Sequence, residues 1–372
     1  MIICANPAAQ FQSNQAEIEA AVLRVLRGNR YILGPEVDAL EHEFADYIGT
    51  RKAIGVANGT DALEIALRAL DIGQGDEVIT VSHTAVATVA AIEAAGALPV
   101  LVDVDPDYYT LNPEQLAEVL TPRTRAVIAV HLYGQAADLD AIAAFCLQHN
   151  LAMIEDASQA HGAKWNGKQL GSLGLVGCFS CYPTKNLGAI GDAGLITTND
   201  EALANKIRSL REYGWQKRYV SDIPGRNSRL DELQAAILRI KLCHLDADND
   251  KRRQLAAHYT RLLDSNDIHV PEICEGSEHV FHLYVIRSDT RDSLMDHLKR
   301  HDIYPGIHYP VPVHLQPAYM GRIRTALSMD VTERLANEVL SLPMYPELSL
   351  DIVNKVAMVV NGCFDQGKVM PE

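Results

Sequence analysis

Aromatic side chains are scarce in this 372-residue chain, where Phe, Trp and Tyr together make up 6%. The apolar share of 48% is therefore carried by Ala, Leu, Ile and Val, which favours layered helix–sheet packing over a small aromatic-rich β module. Basic charge is also short, with 33 Lys plus Arg against 48 Asp plus Glu and a formal net charge of −15. A polyanion meets net repulsion, so neither nucleic acid nor an anionic membrane is an expected partner, while local cations can still hold a small anionic substrate. Long hydrophobic runs are missing. The most apolar stretch, Ala85–Val104, is broken by Glu93, Pro99 and Asp103 and does not read as a membrane span. Met1-Ile2-Ile3-Cys4 lacks the basic start and apolar core of a signal peptide. The seven cysteines are odd in number and lie mostly in apolar stretches, a pattern of reduced thiols and cytoplasmic location rather than of a disulfide framework.

What the chain does have is alternation. From about residue 54 to 200, helical and strand patterns succeed one another: a helix over Asp61–Leu70 with Glu64 and Arg68 four apart, a strand over Glu77–Ser82, a helix over Thr84–Ala95 and a strand over Pro99–Asp103. Asn112 and Pro113 begin a further helix, and a strand over Ala126–Leu132, a helix over Leu139–His149 and a strand over Leu151–Glu155 follow. Near-continuous apolar strands separated by helices predict a mostly parallel sheet covered on both faces, with ligands beyond the carboxyl ends of its strands. Helices are also expected over Glu201–Tyr213, Arg229–Leu245 and Asn249–Leu263. The polar stretch Gly214–Ser228 between the first two is long enough for a functional loop. From about 265 onward the pattern changes to short strands such as Val280–Arg287, a helix near 291–300 and a Pro-rich loop, Tyr304–Pro317. These features divide the chain into a large domain, 1–250, and a smaller α+β domain, 251–372.

Three segments carry chemistry. Asn58-Gly59-Thr60 stands directly before a helix, where unpaired N–H groups and the positive dipole end suit an anion; a plain helix cap is the alternative. Glu155-Asp156 ends a parallel strand, where a carboxylate suits metal ligation, base catalysis or a protonated ring nitrogen, or caps the next segment. Lys185 lies between Ser180-Cys181-Tyr182-Pro183-Thr184 and the Gly-rich run from Asn186 to Gly194. Desolvation there would depress its pKa, as a Schiff-base lysine requires. Cys178 and Cys181 match C-x-x-C but read as core packing. A phosphate cradle, a strand-end acid and a Gly-flanked lysine, in that order, meet the needs of pyridoxal phosphate. No G-x-G-x-x-G follows the first predicted strand and no P-loop is present, which argues against a nicotinamide enzyme or an NTPase.

The runs GVANGTDALEIALRAL (55–70), EDASQAHGA (155–163), YPTKNLGAIGDAG (182–194) and GRNSRLDELQA (225–235) make the chain similar to the DegT/StrS family of nucleotide-sugar aminotransferases. The resemblance implies the pyridoxal-phosphate transferase fold type I: a large domain with a seven-stranded sheet, a smaller C-terminal domain, and a homodimer whose sites are shared. It implies that Lys185 forms the Schiff base and that Asp156 faces the ring nitrogen. Gln159 would approach the ring's 3-hydroxyl, and Gly59, Thr60 and Ser180 would hold the phosphate. Asn227 would reach the cofactor of the neighbouring subunit. The expected substrates are L-glutamate and a nucleotide-linked keto-deoxysugar, a dTDP-linked 3-keto-6-deoxyhexose being the candidate, in amino-sugar biosynthesis. His83, Tyr182, Arg229, His308, Tyr309 and His314 are the expected substrate contacts, and no metal is expected because the His308/His314 pair lacks further ligands. Relatives commonly stack an aromatic on the ring at the position of Ala85, and His83 is the candidate replacement. The competing readings are a dehydratase or lyase of the same fold, a 4-keto-sugar aminotransferase, or a binding protein without cofactor. Dehydratase relatives replace the lysine by His, so the retained Lys185 favours amino transfer.

Overall fold

The computed structural model describes residues 1–263 and 266–365. Its central sheet is built from β1 (Lys52–Val56), β2 (Glu77–Val81), β3 (Leu98–Val102), β4 (Thr124–Val130), β5 (Ala152–Asp156), β6 (Val176–Ser180), β7 (Gly194–Thr198) and β8 (Arg324–Thr325). The order across the sheet is β8-β3-β2-β4-β5-β6-β7-β1. Only β7 runs against its neighbours, pairing antiparallel with β6 and β1. The seven strands from β1 to β7 are the expected sheet, and β8 adds an eighth, contributed by the C-terminal part of the chain. All five residues of β2 and β7 are buried, as strands covered on both faces require.

Helices α1 (Pro35–Ile48), α2 (Gly59–Ala69) and α3 (Val86–Ala94) pack around this sheet, and α4 (Glu232–Leu262) runs for 31 residues. The sequence pattern predicts two helices where α4 is one. Nothing between Glu232 and Leu262 is Gly or Pro, and at the expected break Asp248, with Asn249 and Arg252 just beyond it, is buried with partners instead. Arg252 donates to the carbonyls of Phe281, His282 and Met344 at 3.2, 3.3 and 3.2 Å, and Asn249 donates to the carbonyl of His161 at 2.9 Å. The same contacts shorten the strand predicted over Val280–Arg287. Only Tyr284–Arg287 is extended and paired, because Phe281 turns into positive φ (45°) where Arg252 takes the backbone carbonyls.

Apolar side chains gather into two main clusters. One envelops the sheet and includes Val56, Ile65, Val81, Ile128, Ile154 and Phe179. The other draws on residues after 254, among them Leu255, Tyr259, Tyr284, Leu298 and Val356. The second cluster supports our proposed division near residue 250. Helix α4 crosses that point, and Val285, Val313 and Val339 join the first cluster from beyond it.

Candidate active site

The carboxyl ends of the parallel strands face a cleft of about 520 Å³ lined by residues from all three chemistry-bearing segments, including Gly59, Thr60, Asp156, Gln159, Ser180, Tyr182 and Lys185. The cleft begins where β1 turns into α2. Asn58 is extended and its side-chain oxygen takes the N–H of Asp61 at 2.8 Å, so the cap expected of Asn58 exists. It leaves the N–H groups of Gly59 and Thr60 unclaimed by the described residues. Gly59 is required by close approach: a Cβ there would stand 2.5 Å from the Cβ of Ser180. Two hydroxyls, Thr60 and Ser180, thus flank an N-terminal helix turn, and the Asn58 cap leaves room for an anion at the same helix start.

β5 alternates its two terminal carboxylates between faces. Glu155 is turned away, where it accepts from the N–H groups of Gly171, Leu173 and Gly174 at 2.7, 2.8 and 2.6 Å and from His131 at 3.1 Å. Burial alone would raise Glu155, but the His131 hydrogen bond and these N–H groups outweigh it and hold the carboxyl below the usual range. The N–H of Ala137 donates to His131 Nδ1, so the imidazole carries its proton on Nε2 and presents it to Glu155. Asp156 faces the cleft. Its Oδ2 accepts from the Thr88 hydroxyl at 2.9 Å and its Oδ1 from the Ser158 N–H at 3.2 Å.

Lys185 follows a turn closed by its own N–H on the carbonyl of Tyr182. Desolvation lowers its amine to about 8, against the opposing pull of Asp156 and Cys181. Behind it, Asn186 is buried and spends its whole amide: Nδ2 donates to Asn249 Oδ1 at 2.7 Å and to the carbonyl of Val280 at 3.1 Å, and Oδ1 meets His282 Nδ1 at 3.2 Å. Lys241 donates to the carbonyl of Gly188 at 2.6 Å. The lysine loop is therefore fixed from α4 and from the 280–282 segment. Cys178 and Cys181 are both free and buried, as core packing predicts.

Other expected contacts lie elsewhere. His83 does not line the cleft. It is 1% exposed, meets the Tyr133 hydroxyl at 2.8 Å, and burial lowers it to about 4, so it presents no plane to a ring in the cleft. Ala85 does line the cleft. His314 is bound to Ser82 Oγ through Nδ1 at 2.7 Å and to Glu333 through Nε2 at 3.2 Å, and it staples the Pro-rich loop to the β2–α3 connection. His308 meets Ser341 Oγ at 2.8 Å, and its carbonyl accepts from Tyr133. Tyr309 accepts from Gln159 Nε2 at 3.1 Å, while Gln159 Oε1 takes the N–H of Tyr133 at 2.7 Å. Arg229 pairs with Glu212 at 3.4 Å, and Asn227 is exposed beside it, outside the cleft. Sequence reasoning passed over Thr84, Thr88, His131 and Asp192, all of which line the cleft. Two threonines four apart at the start of an otherwise apolar helix were the available signal for the first pair. Among the described residues no group of His, Cys, Asp and Glu forms a metal site, and no helix is long and apolar enough to cross a membrane.

Comparison with known proteins gives the same direction. The model of the DegT/DnrJ/EryC1/StrS aminotransferase family matches residues 12–361. The chain is 48% identical over 347 residues to a dTDP-3-amino-3,6-dideoxy-α-D-galactopyranose transaminase from Aneurinibacillus thermoaerophilus, covering 93% of this chain and 95% of the relative. It is 44% identical over 352 residues to a UDP-N-acetyl-3-dehydro-α-D-glucosamine 3-aminotransferase from Acidithiobacillus ferrooxidans, with 95% of each covered. Among solved structures, S. venezuelae DesV in complex with a ketimine intermediate superposes with a TM-score of 0.93 at 44% identity, over 100% of this chain and 99% of that one.

Proposed function

Because this chain belongs to the DegT/DnrJ/EryC1/StrS aminotransferase family, we propose that it moves an amino group from L-glutamate to the C3 ketone of a nucleotide-linked deoxyhexose, with dTDP as the nucleotide. The observation that carries the reading is the convergence of Lys185, Asp156, Gln159 and the Gly59–Thr60–Ser180 cradle on one cleft. Both relatives described above are named for amination at C3, and the one with higher identity carries dTDP.

The residues fit pyridoxal phosphate. The unclaimed N–H groups at the start of α2, with the hydroxyls of Thr60 and Ser180, match a phosphate, and the ban on a Cβ at Gly59 keeps that cradle open. When bound, this cofactor supplies a carbonyl carbon for amine exchange and an electron-withdrawing ring. Asp156 holds the proton on the ring nitrogen. Gln159, with one N–H given to Tyr309, has a second for the ring's 3-oxygen. Lys185, whose amine burial lowers to about 8, would carry the proton at Nζ from the substrate carbon to the cofactor's carbonyl-derived carbon, as base and then acid. The donor leaves as its keto acid before the sugar enters, which gives ping-pong kinetics.

A homodimer completes the site. Lys185 is the only Lys or Arg among the cleft-lining residues, too few cations for a sugar diphosphate, whereas Asn227 and Arg229 lie in a polar loop outside this subunit's own cleft. Tyr182, 53% exposed at the rim, is placed to meet the sugar. A cytoplasmic location accords with the free thiols.

Borohydride reduction of the holoenzyme followed by peptide mapping is expected to place the adduct on Lys185, and Lys185→Ala to abolish both the adduct and turnover. An adduct at another position would overturn the assignment. Glutamate alone is expected to release stoichiometric 2-oxoglutarate, and a panel of dTDP- and UDP-linked 3- and 4-ketosugars reads out the acceptor.

A further inference from the structure

The loop and first helical turn that follow β2 place three consecutive polar residues on three different neighbours: Ser82 on His314, His83 on Tyr133, and Thr84 on Thr88. Thr88 is 1% exposed, and its single hydroxyl proton goes to Asp156 Oδ2 at 2.9 Å. With that proton spent, the 3.0 Å contact between the Thr84 and Thr88 oxygens must be donated by Thr84. The result is a one-way chain of hydroxyls, Thr84 to Thr88 to Asp156, in which the first bond polarises the second. The other carboxylate oxygen is held by the Ser158 N–H at 3.2 Å. Two donors from different elements, α3 and the turn after β5, therefore fix the plane of the Asp156 carboxylate, and its free lone pairs face the cleft.

We propose that Thr88 is a positioning residue that acts through Asp156 on the ring nitrogen of the cofactor, with Thr84 as its outer support. This rests on the reading of Asp156 given above. Valine at position 88 keeps the shape of threonine and removes only the hydroxyl, so the carboxylate loses one of its two fixed donors and the freedom to rotate returns.

The test is equilibrium binding of pyridoxamine phosphate, and of its 1-deaza analogue with CH in place of the ring nitrogen, to the full chain freed of cofactor. A residue that serves the ring nitrogen affects only the first ligand. Thr88→Val is expected to weaken pyridoxamine phosphate about tenfold and to leave the analogue unchanged, with Thr88→Ser restoring wild-type affinity. Thr84→Val is expected to show the same selectivity at two- to threefold. An equal loss for both ligands, or no loss, would overturn the proposal. Should Thr88→Val fail to fold, Thr88→Ala, which also removes the hydroxyl, decides in the same way. Asp156→Asn separates the two layers of argument. If it binds both ligands in the wild-type ratio, the role of Asp156 itself is wrong; if it changes that ratio and Thr88→Val does not, only the threonine chain falls.

Discussion

Lys185 is where pH enters the site. A solvated lysine titrates at about 10.4, and burial brings this one to about 8, as it does Lys241, so its amine becomes a nucleophile some two pH units earlier than a solvated lysine. In the cofactor-free chain, labelling of Lys185 by an amine-directed reagent should rise with a midpoint near pH 8, read by peptide mass spectrometry, while exposed lysines such as Lys217 serve as the internal reference. A midpoint above 10 would remove the desolvated pocket. The placement of Lys185 and Asp156 on the cleft was legible in the sequence because local context sets it: one is flanked by glycines and apolar residues, the other ends a strand. His83 and His314 were not. Their neighbours decide which way they face, and those neighbours are Tyr133, 50 residues away, and Ser82, 232 residues away. A histidine in an apolar run carries no mark of whether it meets a ligand or a tyrosine.

Helix starts do much of the ordering in this fold, and one of them is held from a distance. Glu232, 1% exposed in the first turn of α4, accepts the N–H groups of Gly34, Glu36 and Val37 at 2.7, 3.0 and 3.0 Å and so satisfies the free end of α1. Glu232→Ala leaves three buried donors without acceptors. We expect a loss of about 2–4 kcal/mol in urea unfolding, with Glu232→Gln retaining part of it; a change under 1 kcal/mol would show that water replaces the carboxylate without cost. This partnership could not be read from the chain, since Glu232 resembles any first-turn acidic residue. The length of α4 was misread for a related reason. Its Asp246–Asp248 segment falls between the two helices that the sequence pattern suggests, yet Asp248 and the adjoining Asn249 are buried in company that the local sequence does not reveal.

At the level of the whole molecule, four buried histidines and the half-buried His308 shape the response to acid. Burial lowers His83 and His308 to about 4, His161 and His279 to about 3, and His282 well below its usual value. The unfolded chain takes up these protons near pH 6.5, before the folded one can. The corresponding stability is therefore complete above 6.5 and is lost as pH falls from there toward 4 and 3, at up to about 1.4 kcal/mol per pH unit for each ring. Calorimetry should show Tm falling steadily between pH 6.5 and 5, ahead of carboxylates such as Glu155, which the fold holds below their ordinary value. A flat Tm over that interval would mean that these rings find proton-binding partners inside the protein.

The pairing of β8 with β3 has a consequence for biosynthesis. On the ribosome, Leu98–Val102 is made long before Arg324–Thr325 can cover it, and the nascent chain carries an open, strongly apolar margin in the meantime. The carbonyl of Leu101 points toward that margin, since it accepts the N–H of Ala326 in the finished protein. Strand alternation turns Pro99 to the same side, so an intruding polypeptide meets a missing donor where it would first dock. Pro99 thus takes one backbone donor out of the margin that Arg324–Thr325 later covers.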